Sequence, residues 1–428
     1  MRTTFTAEQL ADPQMAASQA AIRKCVHCGF CTATCPTYVL LGDERDSPRG
    51  RIELIREMLE AGGPPPASTV THIDRCLSCL ACTTTCPSGV DYAQLIDHAR
   101  EHIETHYARP WPEKVLRRAL AWVLTRPGRL RAALFLGRLA RGLEPLLSSL
   151  RLKPLAAMLR LVPSPQPRVA TPSLAATGRR RGRVILLQGC VEPVMAPQVR
   201  AAAIRLLTRA GFEVVLAPGE GCCGAIPEHL GRAEQAKAMA RANLAVWSRA
   251  GKVTAVVTTA AGCGTMLKTY GRIAGQAVPA KDILEFIAEV GLPAERRALS
   301  LTVAYHAACS LQHGQQIKAA PPRLLAEAGF DVRLVAEGHL CCGSAGVYNI
   351  LQSDLAAQLR DRKAANITAT GAAVVAAGNV GCMAQLAPAL SMPIVHPVEL
   401  LDWATGGPKP AALVAPEGVI QPRAAVVN

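Results

Sequence analysis

Cys25-Val26-His27-Cys28-Gly29-Phe30-Cys31-Thr32-Ala33-Thr34-Cys35-Pro36 decides how the chain begins, because the same arrangement returns as Cys76-Leu77-Ser78-Cys79-Leu80-Ala81-Cys82-Thr83-Thr84-Thr85-Cys86-Pro87. Every cysteine of the first run lies 51 residues before its counterpart. The spacing C-x2-C-x2-C-x3-C-P is the ligand pattern of a protein with two [4Fe–4S] clusters, in which the fourth cysteine of each run serves the other cluster. Three thiolates two residues apart wrap three corners of a cubane. The fourth arrives from elsewhere, and the proline turns the chain away. The pattern therefore assigns Cys25, Cys28, Cys31 and Cys86 to one cluster and Cys35, Cys76, Cys79 and Cys82 to the other.

Structural zinc sites use C-x2-C pairs separated by longer gaps, and three evenly stepped cysteines suit them poorly. Disulfides suit the chain less. The opening MRTTFTAEQLADPQM has acids and no apolar core, so it does not read as a secretion signal. Sixteen cysteines in such a chain point to a reducing compartment, where clustered thiols mean metal or catalysis. A cytoplasmic protein is expected.

The 428 residues leave room for two or three domains. Net charge is +15, from 47 basic and 32 acidic residues. Residues 109–183 hold 17 Lys/Arg and only Glu113 and Glu144 as acids, so this segment carries the entire surplus. It reads as two amphipathic helices, Glu113–Thr125 and Arg129–Arg141, separated by Pro127-Gly128 and followed by a linker over 163–183. Basic amphipathic helices suit an anionic membrane surface or an acidic partner, and equally suit ordinary helices with solvated Arg faces. The longest uncharged run, Ala364–Val395, is broken by glycines and prolines and reads as a strand with its loops rather than a membrane span. Nucleic-acid binding has only the charge in its favour.

Between Cys35 and Cys76, Ser47-Pro48 can cap a helix that carries Ile52, Leu54, Ile55, Met58 and Leu59 at helical spacing. Residues 1–108 are accordingly expected to be a helical ferredoxin domain. From Val184 the chain repeats a second time. Cys190, Cys222, Cys223 and Cys263 recur 119 residues later as Cys309, Cys341, Cys342 and Cys382, and both adjacent pairs continue into glycine. Each half alternates short apolar strands with helices, which argues for parallel α/β sheets with the cysteines beyond the carboxyl ends of the strands. The expected architecture is thus α+β multidomain. It runs from the helical domain through the basic segment to α/β repeats at 184–299 and 300–403 about a pseudo-twofold, with a tail at 404–428. The eight repeat cysteines are a candidate third metal or redox site. His306 is a candidate ligand or proton donor, with His229, His313 and His339 behind it.

The Cys-Cys-Gly halves resemble the CCG domain family, shared with heterodisulfide reductases, whose motif has five cysteines and binds an iron–sulfur cluster of unusual shape. The closing position is Met266 in one half and Gln385 in the other. Four thiols per half leave a cluster, a zinc or a thiol redox centre open. Arg23-Lys24 ahead of the first run, Leu41-Gly42-Asp43-Glu44, Ser47-Pro48-Arg49-Gly50-Arg51 and both halves together resemble the glycolate oxidase iron–sulfur subunit family over nearly the full length.

That resemblance implies an electron-transfer subunit, peripheral on the cytoplasmic face of the inner membrane. Partner flavoprotein subunits with FAD would oxidise glycolate to glyoxylate and also accept D-lactate, and a quinone or other acceptor would follow. Subunits of anaerobic glycerol-3-phosphate or lactate dehydrogenase, and a thiol/disulfide catalyst, are the alternatives. The chain has no G-x-G-x-x-G after a strand and no Walker loop, so no substrate-oxidising residue is expected on it.

Overall fold

The computed structural model describes residues 1–150, 152–163 and 169–414. Most of the expected tail (415–428) and residues 164–168 near the start of the expected linker lie outside the described residues.

Caps and prolines set the N-terminal helices. Asp12 accepts from the Gln14 N–H at the start of Pro13–Lys24, Ser47 from the Gly50 N–H at the start of Pro48–Ala61, and Asp91 from the Gln94 N–H at the start of Tyr92–His106. Helix Ala67–Asp74 completes the frame. Ile22, Ile55, Leu59, Ile73, Leu95, Ile96 and Ile103 are fully buried between these helices. The prolines after Cys35 and Cys86 behave differently. Pro36 is the first residue of helix Pro36–Leu41, where a missing N–H is harmless, whereas Pro87 enters a turn.

The basic segment forms Trp111–Leu124, Pro127–Leu139, Glu144–Ser149 and Lys153–Arg160. Pro127, expected to separate two helices, opens the second one at its first position. Not every arginine here faces water. Arg117 is buried and bridges Asp74 at 2.9 Å and Glu113 at 2.8 Å, and Arg109 meets Asp74 at 2.7 Å, tying the segment to the cluster domain. Arg138 and Arg141 donate to the carbonyls of Pro163 and Val162. Among the described residues, no helix is long and apolar enough to cross a membrane.

The two repeats are two parallel four-stranded sheets, as the alternating pattern predicts. The first contains β1 (Gly182–Leu186), β2 (Phe212–Val215), β3 (Ala255–Thr258) and β4 (Ala280–Asp282) in the order β2-β1-β3-β4. The second contains β5 (Thr302–His306), β6 (Asp331–Leu334), β7 (Val374–Ala377) and β8 (Ile394–Val395) in the equivalent order β6-β5-β7-β8. Strands β3 and β7 are buried along their whole length, as sheets covered on both faces require. In each sheet the order reverses beside the first strand, which creates a crevice at the carboxyl ends.

The halves exchange packing reciprocally. Helix Pro197–Arg209 of the first packs on helix Pro397–Ala404 of the second, and helix Ile283–Val290 packs on Ala320–Glu327. One apolar core runs through both. Asp402, almost wholly buried, is held by Arg205 and Arg209 at 2.6 Å each across this joint.

His396 starts the last of these helices. Its Nδ1 accepts from the Val398 N–H at 3.1 Å, and its Nε2–H donates to the Thr259 carbonyl of the first half at 2.8 Å. Burial lowers its pKa from 6.5 to about 4. Between those values the unfolded chain binds a proton that the folded chain refuses, so this histidine's contribution falls as pH falls. The stability difference between wild type and His396→Asn, measured by urea unfolding, should therefore shrink below pH 6.5. The slope should be at most about 1.4 kcal/mol per pH unit. A constant difference down to pH 4.5 would contradict the assignment.

Candidate metal and redox centres

The two N-terminal loops share one backbone path. His27 and Gly29 have φ of 55° and 84°, and Ser78 and Leu80, their counterparts, have 49° and 61°. Three of these four residues bear the steric cost of the left-handed region without being glycine, a conformation the surrounding structure must hold in place. Each loop brings three thiols to a small cavity, and the other loop supplies the fourth. Cys25, Cys28, Cys31 and Cys86 line a cavity of about 30 Å³ together with Cys82. Cys35, Cys76, Cys79 and Cys82 line a second of about 20 Å³. Cys82 thus stands between them. These donor sets, soft thiols converging four at a time in apolar surroundings, fit cubane clusters. Burial pushes the Cys79 and Cys82 thiols well above their ordinary range and Cys31 up to about 11, so their ionisation calls for a metal's charge.

Sequence reasoning passed over the polar groups that support the second cavity. Arg51, 1% exposed, donates to the His72 carbonyl (2.7 Å) and Thr37 Oγ1 (2.9 Å), pairs with Asp46 (3.3 Å) and reaches Cys35 Sγ (3.7 Å). Burial opposes its charge, but Cys76, Tyr92, Cys35 and Asp46 outweigh that and raise its pKa. The Tyr92 hydroxyl lies 3.7 Å from Cys76 Sγ. Arg51 sits in the stretch that predicted a helix start, and helical spacing does not reveal which side chain turns inward to a sulfur.

All eight repeat cysteines line one cavity of about 370 Å³ between the two sheets. In the first half, Cys190 and Cys222 sulfurs are 3.5 Å apart and Cys223 and Cys263 sulfurs 3.3 Å apart. Hydrogen bonds from Cys190 and Cys223 hold the Cys222 thiol well below its ordinary range. In the second half, Cys309 and Cys341 are 3.8 Å apart, and a His306 ring nitrogen, Cys342 and Cys382 lie within 4.8 Å of one another. Burial lowers the His306 pKa to about 3, which leaves the ring neutral, and its Nε2 has no hydrogen-bond partner among the described residues. Cys222 and Cys341 each stand seven residues beyond their strands, on longer loops than the sequence suggests.

The two closing positions and His313 are engaged elsewhere. Gln385 accepts from Asn349 and donates to the Ala356 carbonyl, and Met266 is buried behind the first turn. His313 receives Thr84 Oγ1 at 2.8 Å and donates to the His339 carbonyl, so it joins the second cluster loop to the second half. His229 lines the large cavity.

The glycine of each Cys-Cys-Gly is a steric necessity. Gly224 has φ +96° and Gly343 φ +86°, and a Cβ on Gly343 would stand 2.6 Å from the Ala356 carbonyl oxygen. Gly343→Ala should therefore cost about 2 kcal/mol or more, read as a lowered midpoint in chemical unfolding. An unchanged midpoint would show that the turn relaxes freely.

Two features join these sites. Leu77, Cys79 and Ala81 of the second cluster loop share a buried cluster with Cys341, Tyr348 and Leu355, and Cys309 packs against it. The inner faces of the basic helices, through Leu116, Leu120 and Leu134, and Val162 beyond the last of them, roof the large cavity.

A 4Fe-4S dicluster domain model matches residues 21–90, and a Cysteine-rich domain (CCG) model matches 184–268 and 303–387. The chain is 37% identical to the Glycolate oxidase iron-sulfur subunit of Escherichia coli, over 94% of this chain and 99% of that protein. It is 32% identical to the "Probable glycolate oxidase iron-sulfur subunit" of Bacillus subtilis, over 85% and 87%. Lactate utilization protein A of an Exiguobacterium is 25% identical over 52% of this chain.

Proposed function

We propose, from the premise that the chain belongs to the glycolate oxidase iron–sulfur subunit family, that it carries electrons from flavoprotein subunits oxidising glycolate to a membrane acceptor. When bound, a [4Fe–4S] cluster takes and gives one electron at a time, which divides the two-electron oxidation of a 2-hydroxy acid. Cys25, Cys28, Cys31 and Cys86 would hold the first cluster, and Cys35, Cys76, Cys79 and Cys82 the second. The repeat cysteines would hold a third centre. The observation that carries this reading is the succession of thiol sets: the first cavity, the second sharing Cys82 with it, then Cys309 and Cys341 packed against the second loop.

The entry side would be the first loop. Cys28 is exposed there, with Val26 and Phe30 68% and 62% exposed beside it, an apolar patch suited to a flavoprotein carrying FAD. The exit side would be the basic segment. Eleven of the sixteen large apolar side chains exposed among the described residues fall between Trp111 and Leu155, interleaved with arginines. That composition suits the interface of an anionic bilayer. The close thiol pairs of the first half, Cys190–Cys222 and Cys223–Cys263, also favour a second reading, a dithiol that reduces a disulfide.

Iron and labile sulfide in anaerobically purified protein separate these readings. Roughly eight irons per chain would correspond to the N-terminal clusters alone, and more to a third iron centre. A complex without this chain that still reduced quinone from glycolate at full rate would refute the function. Arg118, Arg126 and Arg131 together changed to Glu should release the complex from phosphatidylglycerol vesicles, and salt should weaken wild-type binding.

A further inference from the structure

We infer that the space between the basic helices and the repeat cysteines receives an isoprenoid quinone, its ring beside the third centre those thiols would hold and its tail along the helical roof. This rests on the membrane-directed electron transfer proposed above and adds where the acceptor sits.

The cavity has two unlike ends. Its roof is apolar, built by Leu116, Leu120, Val123, Leu134, Leu159 and Val162, while its floor is the thiol rim. The outer faces of the same roof helices expose Trp111, Trp122, Phe135 and Leu139 among arginines. A lipid-soluble molecule that left a bilayer here would therefore pass from one apolar layer to another without crossing water.

The lining also excludes competitors. Among the described residues no lysine or arginine lines the cavity, so a nucleotide or other anionic carrier would be desolvated there without a counter-charge from them. A neutral ring with an apolar tail meets no such cost.

Two polar groups of the lining are suited to the ring. Glu192, the only carboxylate among the described lining residues, is 7% exposed; its Oε1 accepts from the Thr259 hydroxyl, and its Oε2 is buried without a partner among the described residues. Such an oxygen can accept an O–H from the reduced ring. Asn379, whose amide donates to Cys382 Sγ, lies on the same floor. In the reaction the ring takes two electrons singly, supplied ultimately by the reduced flavin of the partner, and two protons from water. Both carbonyls become C–OH, and no bond to the protein forms.

The test uses the full complex with its flavoprotein subunits on phosphatidylglycerol vesicles. The probe is an azido-benzoquinone with a two-isoprene tail. Light should attach it to peptides within 116–137 or 158–162, and excess unlabelled quinone with the same tail should suppress the labelling. Ala133→Trp, which places an indole in the roof, should reduce both labelling and glycolate-driven quinone reduction at least tenfold, with iron content and vesicle binding as controls. Should that variant fail to fold, Leu134→Phe should produce a smaller loss of the same kind. Labelling confined to other peptides, or full labelling and rate in a folded Ala133→Trp complex, would overturn the proposal. Roof labelling by a complex that does not bind vesicles would support the quinone site and refute the membrane reading. Vesicle binding without roof labelling would refute the site alone.

Discussion

Arg51→Met should unfold the second cluster cavity and lower iron content toward one cluster per chain. The substitution deletes the donor to Cys35 and Thr37 and one of the cations facing Asp46, which is fully buried. A buried charge that loses a partner costs about 3–5 kcal/mol, partly offset here because Arg75 still meets Asp46 at 2.9 Å. Arg51→Lys separates charge from geometry. Lysine keeps the positive charge but cannot hold the His72 carbonyl, Thr37 and Cys35 at once with a planar fork. That variant should retain its iron and show a lower reduction potential for the second cluster, because hydrogen bonds to cluster sulfurs raise it. Iron analysis, thermal unfolding and an EPR-monitored redox titration read all three effects. Arg51→Met with full iron and an unshifted potential would show that the guanidinium only fills space.

Cys35→Ser and Cys86→Ser should each damage the cluster of the opposite loop. Cys35 belongs to the first run by sequence yet lines the cavity of Cys76, Cys79 and Cys82, and Cys86 lines that of Cys25, Cys28 and Cys31. Anaerobic iron attributable to the N-terminal clusters should fall by about half in either variant, from roughly eight toward roughly four. The EPR signal lost in Cys35→Ser should match the one lost in Cys79→Ser, and that lost in Cys86→Ser the one lost in Cys28→Ser. If instead Cys35→Ser and Cys28→Ser erased the same signal, each run would serve its own cluster.

The fold was legible where the chain repeats itself. A period of 51 residues announced the paired loops, and one of 119 announced two equivalent sheets, because a duplicated cysteine pattern reports a duplicated backbone. Helix starts at Ser47 and Pro48 were legible through capping chemistry, which is local. What escaped depends on tertiary contact. Arg117 and Arg118 are adjacent in sequence, yet one is buried against Asp74 and the other exposed, and charge counting treats them alike. The roof over the repeat cysteines was hidden for the same reason: Leu120 and Leu134 read as ordinary apolar faces until the surface beneath them is known. His313 reads in sequence as a candidate beside the cysteines, but its partners are Thr84 and the His339 carbonyl, one of them 229 residues away.

The crossed helices at the joint of the two sheets make each half the scaffold of the other. Pro197–Arg209 without Pro397–Ala404, or Ala320–Glu327 without Ile283–Val290, would present a bare apolar stripe to water. Neither half should therefore stand as an autonomous folding unit, although each has its own sheet and its own four thiols. A chain cut in the connection between Gly291 and Leu301 should yield two fragments that are insoluble apart and assemble when produced together. Such complementation would mean that the crevice with its eight sulfurs comes into being only at the moment of association.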